Sequence, residues 1–166
     1  MDIRLKLFVI AMLLLATVAV PSLPAAPSDD ACQLVTQTQL SDILGVSMAA
    51  GQHTTPTYVK TCTWAPSGGA TNTLKFITLN LESSDKFEAA KKLMSQMAQM
   101  QPKNASFTAV SGIGDDAYYS SFGPTTMSLI VKKGSVSFKL ALYGATPGEK
   151  AMAMEKTLAL QIVSKL

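Results

Sequence analysis

The sequence predicts an α+β domain: a single antiparallel sheet with about three helices packed on its apolar face. Three observations carry that expectation. Helix-capping signals occur at three separated places, the segments between them switch to a period of two, and the strand candidates are joined by short turns. Short turns pair neighbouring strands antiparallel, whereas a parallel sheet needs crossover helices that are scarce here.

The first helix is announced by Thr36 with Gln39 three positions on, a capping box, with Val35 and Leu40 placed to form the accompanying staple. Gly45 supplies its stop, and Leu40, Ile43 and Leu44 its buried face. Tyr58 to Trp64 and Leu74 to Leu81 then read as strands; the second alternates Ile77, Leu79 and Leu81 against Lys75, Thr78 and Asn80. A second helix starts around Asp85 and stops at Pro102. Its apolar positions Phe87, Ala90, Met94 and Met97, joined by Leu93 and Met100, recur at helical spacing.

Phe107 to Val110 and Ala117 to Ser121 are strand candidates on either side of Ser111-Gly112-Ile113-Gly114-Asp115-Asp116. Met127 to Val131 and Val136 to Tyr143 flank Lys132-Lys133-Gly134-Ser135, a β-hairpin with a glycine-containing turn. The third helix has Thr146 as cap, Pro147 at its first position and Glu149 at its third, with Met154, Leu158, Ile162 and Leu166 along one face.

The first thirty residues address compartment. Arg4 and Lys6 give a basic start, Leu7 to Val20 is unbroken apolar sequence, and Pro21 to Pro27 is small and Pro/Ala-rich. That is the layout of a secretory signal peptide, and the apolar run is shorter than the ~20 residues a membrane span requires. The expected division is residues 1–25 as leader and 26–166 as one domain, exported to the periplasm or the outside, with no membrane span after cleavage. Cys32 follows Asp29-Asp30-Ala31, which lacks the pattern of a lipidation site.

Cleavage takes Asp2, Arg4 and Lys6, leaving twelve lysines against ten acids and no arginine. Arginine provides the planar fork that reads phosphates and base edges, so nucleic acid is not an expected partner. The two cysteines, Cys32 and Cys62, are expected to form one structural disulfide in an oxidising compartment. Closing a loop of that length stabilises by roughly 3–4 kcal/mol in the chain-entropy account. Their spacing matches neither a Cys-x-x-Cys redox motif nor a zinc motif, so no metal and no cofactor are expected.

Catalytic parts are few. His53 is the single histidine and sits in a Gly/Thr/Pro-rich stretch that reads as an exposed loop. Gly112, Gly114, Asp115 and Asp116 form the most suggestive loop, where backbone N–H groups could meet an anion or paired carboxylates a cation; a tight turn before a strand explains the same residues. Met94, Met97 and Met100, with Met152 and Met154 later, either fill a core or offer soft thioethers to Cu(I). Trp64, Tyr118 and Tyr119 are candidate contact aromatics, or else packing residues.

Cys32-x-Leu34-x-Thr36, Leu40 to Gly45, Cys62-Thr63-Trp64, Gly112-Ile113-Gly114-Asp115-Asp116-Ala117-Tyr118 and Lys133-Gly134 together resemble a pattern in bacterial secreted proteins and lipoproteins. Those proteins form a family of domains of unknown function abundant in actinobacteria. The resemblance spans most of the chain after the leader and implies an envelope-located domain bridged between Cys32 and Cys62. It brings no catalytic residues, and this chain departs from the lipoprotein members in lacking the acylated cysteine. The functional expectation is a non-enzymatic binding domain with an unidentified envelope or extracellular ligand. The rivals are an enzyme working through Asp115 and Asp116, and a methionine-based soft-metal carrier.

N-terminal sequencing of the exported protein should find a start near Ala26 and no acyl group on Cys32. A chain that begins at Met1 would contradict the leader.

Overall fold

The computed structural model describes residues 28–68, 74–144 and 148–166. The expected leader and the Thr146-Pro147 cap lie outside the described residues. In chain order the elements are α1 (Ala31–Leu34), α2 (Gln37–Leu44), β1 (Gln52–His53), β2 (Thr61–Trp64), β3 (Phe76–Ser83), α3 (Phe87–Met100), β4 (Ala105–Val110), β5 (Asp116–Phe122), β6 (Thr126–Lys133), β7 (Val136–Tyr143) and α4 (Glu149–Val163). The strands make one antiparallel sheet of order β1-β2-β3-β7-β6-β5-β4. The α+β class and the single antiparallel sheet are as the sequence predicts.

Local signals do what their chemistry requires. In α2 the Gln39 backbone N–H donates to Thr36 Oγ1 at 3.2 Å, and the Thr36 N–H donates to Gln39 Oε1 at 2.9 Å, so both halves of the capping box are made. Gly45 ends the helix in the left-handed conformation at φ 69°. Gly134 turns the β6–β7 hairpin at φ 56°. The register then pairs Val131 with Phe138, Leu129 with Leu140 and Met127 with Leu142.

Period two divides the sheet into two faces with different cover. One face carries Cys62, Trp64, Ile77, Leu79, Leu81, Leu129, Phe138, Leu140 and Leu142, all buried in the main core with Leu158, Ala159 and Ile162 of α4. Each large side chain so buried contributes roughly 1.5–3 kcal/mol. α1 and α2 close the same layer, α1 against β2 and β3, and α2 against α4.

The opposite face holds α3, so the helices do not all share one side as expected. Tyr118 points away from Tyr119, its neighbour in β5, and meets the Phe87 ring at 5.6 Å and the Phe107 ring at 5.2 Å. Lys91 Nζ lies 2.5 Å from Asp116 Oδ2 on the same side. The methionine stripe is correspondingly less buried than its spacing suggests. Phe87 is the buried residue of α3, Met94 and Met97 are half-buried, and Leu93 and Met100 are 56% and 71% exposed. The apolar arc of this helix is wider than the strip of sheet beneath it, because contact runs through Phe87 and Lys91 rather than through the whole stripe.

One core residue breaks the pattern. Glu155 faces inward from α4 with 0% exposure, and neither carboxylate oxygen has a hydrogen-bond partner among the described residues. Burial pushes its carboxyl up to about 9, and the Leu142 backbone, near it but not at hydrogen-bond geometry, is the lesser and opposing influence. A raised carboxyl binds its proton in the folded state while the unfolded chain has released it, so stability must fall as pH rises through that window. Wild-type protein should lose roughly 3 kcal/mol of stability between pH 5 and pH 8 through this group, and Glu155→Gln should remove most of that slope. Urea unfolding at several pH values measures it; a wild-type chain that gains stability toward pH 8 would contradict the assignment.

Candidate functional site

The Gly112–Asp116 loop sits at the β4–β5 connection and is held down from three sides. Ile113 plugs into the main core at 1% exposure. Gly114 has φ +60° and lies so close to β6 that a Cβ would overlap the Lys132 carbonyl oxygen. The Asp115 N–H donates to that same oxygen at 2.8 Å. Both glycines are therefore positions of backbone necessity; Gly112, at φ +79°, has open space around it.

The two carboxylates turn to different partners. Asp115 Oδ2 accepts the Gly134 N–H at 2.6 Å, and Lys133 Nζ stands 3.5 Å from Oδ1. The Gly134 hydrogen bond, followed by the lysine charges, holds the Asp115 carboxyl below its ordinary value. Asp115 thus closes the β6–β7 turn. Asp116 pairs with Lys91 and anchors α3. The structure sets Gly114 and Asp115 against the β6–β7 hairpin, leaves Gly112 in open space, and does not aim Asp115 and Asp116 at a common point.

Trp64, Tyr118 and Tyr119 are 1%, 1% and 7% exposed, so their rings pack in the interior. Burial pushes both tyrosine hydroxyls up to about 12, helped by Glu82 and Asp116 at Tyr118 and by Glu155 at Tyr119. The Tyr119 hydroxyl donates to the Met152 carbonyl at 2.7 Å, tying β5 to α4.

A second constellation forms where the sequence shows no motif. Cys32 in α1 and Cys62 in β2 are bridged, with Cα atoms 5.0 Å apart. Asp30 caps α1: its Oδ1 accepts the Cys32 N–H at 2.8 Å. The same oxygen lies 2.8 Å from His53 Nε2. His53 is in β1, paired in register with Cys62 and 26% exposed in its side chain, so it is an edge-strand residue rather than the exposed loop histidine expected. Hydrogen bonding from His53 is the main reason the Asp30 carboxyl lies below its ordinary value. Sequence reasoning missed this pair because Asp30 and His53 are 23 positions apart and meet only after β1 joins the sheet. The Asp30 cap in front of Ala31 was the available signal.

Beside this cluster, at the end of the sheet, lies an open groove of about 580 Å³. Leu81 and Val136 line it, Tyr58 stands at its rim with 49% exposure, and Lys60 and Lys86 contribute charge. Lys60 is held by Asp29 at 2.6 Å, while Lys86 has no acidic partner among the described residues. A shallower recess of about 250 Å³ adjoins His53, Thr63 and Ala65. No family model matches this chain, and no curated protein matches it either.

Replacing each loop glycine separates turn geometry from close approach. Gly112→Ala should cost about 1 kcal/mol, the strain of a left-handed alanine, and Gly114→Ala clearly more because β6 must also move. Urea midpoints at unchanged slope give the two values. Equal costs would contradict the close contact with Lys132.

Proposed function

We propose that this protein is an exported, non-enzymatic binding domain of the cell envelope that takes a small, partly apolar ligand. The observation that carries this reading is the groove of about 580 Å³ at the end of β3 and β7. Its volume is in the range of small-molecule sites, and its wall joins aliphatic side chains to an exposed aromatic, to Glu82, and to Lys86, which has no acidic partner among the described residues. An aromatic that stays half exposed beside aliphatic surface is a contact waiting for an apolar partner. Export is supported by the leader layout, by the bridged cysteines, and by the resemblance to secreted actinobacterial domains. Among the described residues no helix is long and apolar enough to cross a membrane.

The non-enzymatic part rests on how the titratable candidates are engaged. Asp115 closes a turn, Asp116 anchors a helix, and His53 holds the cap of α1. One observation favours the soft-metal rival: the Met100 side chain is largely solvent-exposed, one turn beyond half-buried Met97. Cu(I) titration of Met97→Leu and Met100→Leu proteins tests that reading directly.

Native mass spectrometry of protein purified from its own compartment should show a small-molecule adduct. Tyr58→Ala with Lys86→Glu should remove it while leaving the fold intact by circular dichroism. An unadducted wild-type mass, or an adduct indifferent to both substitutions, would retire the groove as the binding site.

A further inference from the structure

We propose that the dithiol form of this protein binds one zinc-class divalent ion between Cys32, Cys62, His53 and Asp30, so that the bridge and the metal alternate at one place. Among the described residues, one group of three metal-ligating side chains converges: an Asp30 oxygen, the Cys32 sulfur and a His53 ring nitrogen lie within 4.8 Å of one another. They come from three local pieces of chain, the cap of α1, its first turn and the edge strand β1. The fourth donor, Cys62 Sγ, is bonded to Cys32 Sγ in the bridged form and is therefore already beside it.

The donor set is one imidazole nitrogen, one carboxylate oxygen and two thiolates, which tetrahedral zinc accepts at roughly 2.0–2.3 Å. Ligand atoms around such an ion stand roughly 3.3–3.8 Å apart. The existing spread needs side-chain rotation, and the 2.8 Å contact between His53 and Asp30 has only to open by about half an ångström. The Cys32 N–H on Asp30 Oδ1 fixes the carboxylate from behind, the supporting contact that metal ligands commonly have. Asp30 and His53 are 22% and 26% exposed, giving an ion a route in from solvent, while Cys62 closes the inner side at 0%. Gly51 permits this closeness: a Cβ there would overlap both Cys62 Sγ and the Trp64 indole nitrogen.

The chemistry balances as a two-electron exchange. A dithiol reductant delivers two electrons and two protons to the Cys32–Cys62 bond and becomes a disulfide itself. The divalent ion then displaces both thiol protons to solvent and binds two thiolates. A disulfide oxidant reverses the sequence, re-forming the bridge and releasing the ion. A newly made chain passes through the dithiol state before its bridge forms, and that is the state to which the proposed ion binding applies.

Cobalt titration after reduction with a phosphine tests this, since thiolate-bound Co(II) has charge-transfer bands and a tetrahedral visible spectrum. Reduced wild-type protein should bind one equivalent, displaceable by zinc, with a change in the emission of Trp64, the chain's one tryptophan. Bridged protein should show no thiolate band. His53→Ala and Asp30→Ala, both folded in the bridged form, should each weaken binding by at least about tenfold when reduced. If reduction unfolds the chain, zinc must restore the far-UV spectrum of the bridged protein, and His53→Ala must block the recovery. No thiolate band at one equivalent, a reduced chain that zinc leaves unfolded, or wild-type affinity retained in the His53→Ala or Asp30→Ala protein would each overturn the proposal.

Discussion

The Cys32–Cys62 bridge is the fixture on which the N-terminal third of this domain depends. A helix of four residues has no independent stability, and a strand of two adds little to a sheet. Yet α1 and β1 are both held, because the bridge ties α1 to β2 while Asp30 serves at once as helix cap and partner of the edge-strand histidine. The Ala31 N–H donating to the Val59 carbonyl at 2.9 Å, and Lys165 Nζ donating to the Leu34 carbonyl at 2.6 Å, complete the attachment. Covalent and polar restraints thus add to the burial of Ala31 and Leu34, the limited apolar area that so short a helix can offer.

The sheet solves a different problem, that of covering two faces with unequal partners. Its main face is continuous apolar surface across five strands and takes α4, against which α2 packs in turn. Its second face is mixed: Tyr118 and Phe107 lie near Asp116 and Lys132, and α3 meets them with Phe87 and Lys91. Lys91 and Lys132 each stand 6.0 Å from the Phe87 ring centroid, so charge and aromatic surface share one contact. That contact is smaller and wetter than the main core. It leaves Leu93 and Met100 in solvent, and α3 is the least deeply buried of the long helices.

What the sequence made legible were features set within a few residues of themselves. The Thr36–Gln39 box, the Gly45 stop, the Gly134 hairpin and the alternation through β3 and β7 all follow from local stereochemistry, and all are present. The cover of each face was not legible. The helical period identifies which residues of α3 share a side, but the width of the sheet beneath decides how many of them are buried. The Asp30–His53 pair was invisible for a related reason, since it depends on β1 reaching the sheet edge and no pattern at short range records that. Glu155 was hidden inside an ordinary amphipathic stripe, where a carboxylate among Met154 and Leu158 reads as a surface residue until the core closes over it.

The Gly-Ile-Gly-Asp-Asp segment shows why a motif that resembles a ligand loop can be wholly absorbed by the fold. Each of its residues answers a local demand: Ile113 fills the core, Gly114 lets β6 approach, Asp115 closes the neighbouring hairpin and Asp116 seats α3. Together they connect three otherwise separate pieces, the β4–β5 connection, the β6–β7 turn and the α3 helix. A loop with that many obligations is fixed in shape before any ligand arrives, and its carboxylates are already neutralised by lysines. The groove beside Tyr58 and the cluster at Cys32 differ in this respect. Tyr58 is half exposed and Lys86 has no acidic partner among the described residues, while Asp30 and His53 hold each other at a solvent-reachable edge. Function is therefore better sought where side chains retain unspent binding capacity than where the sequence pattern is most conspicuous.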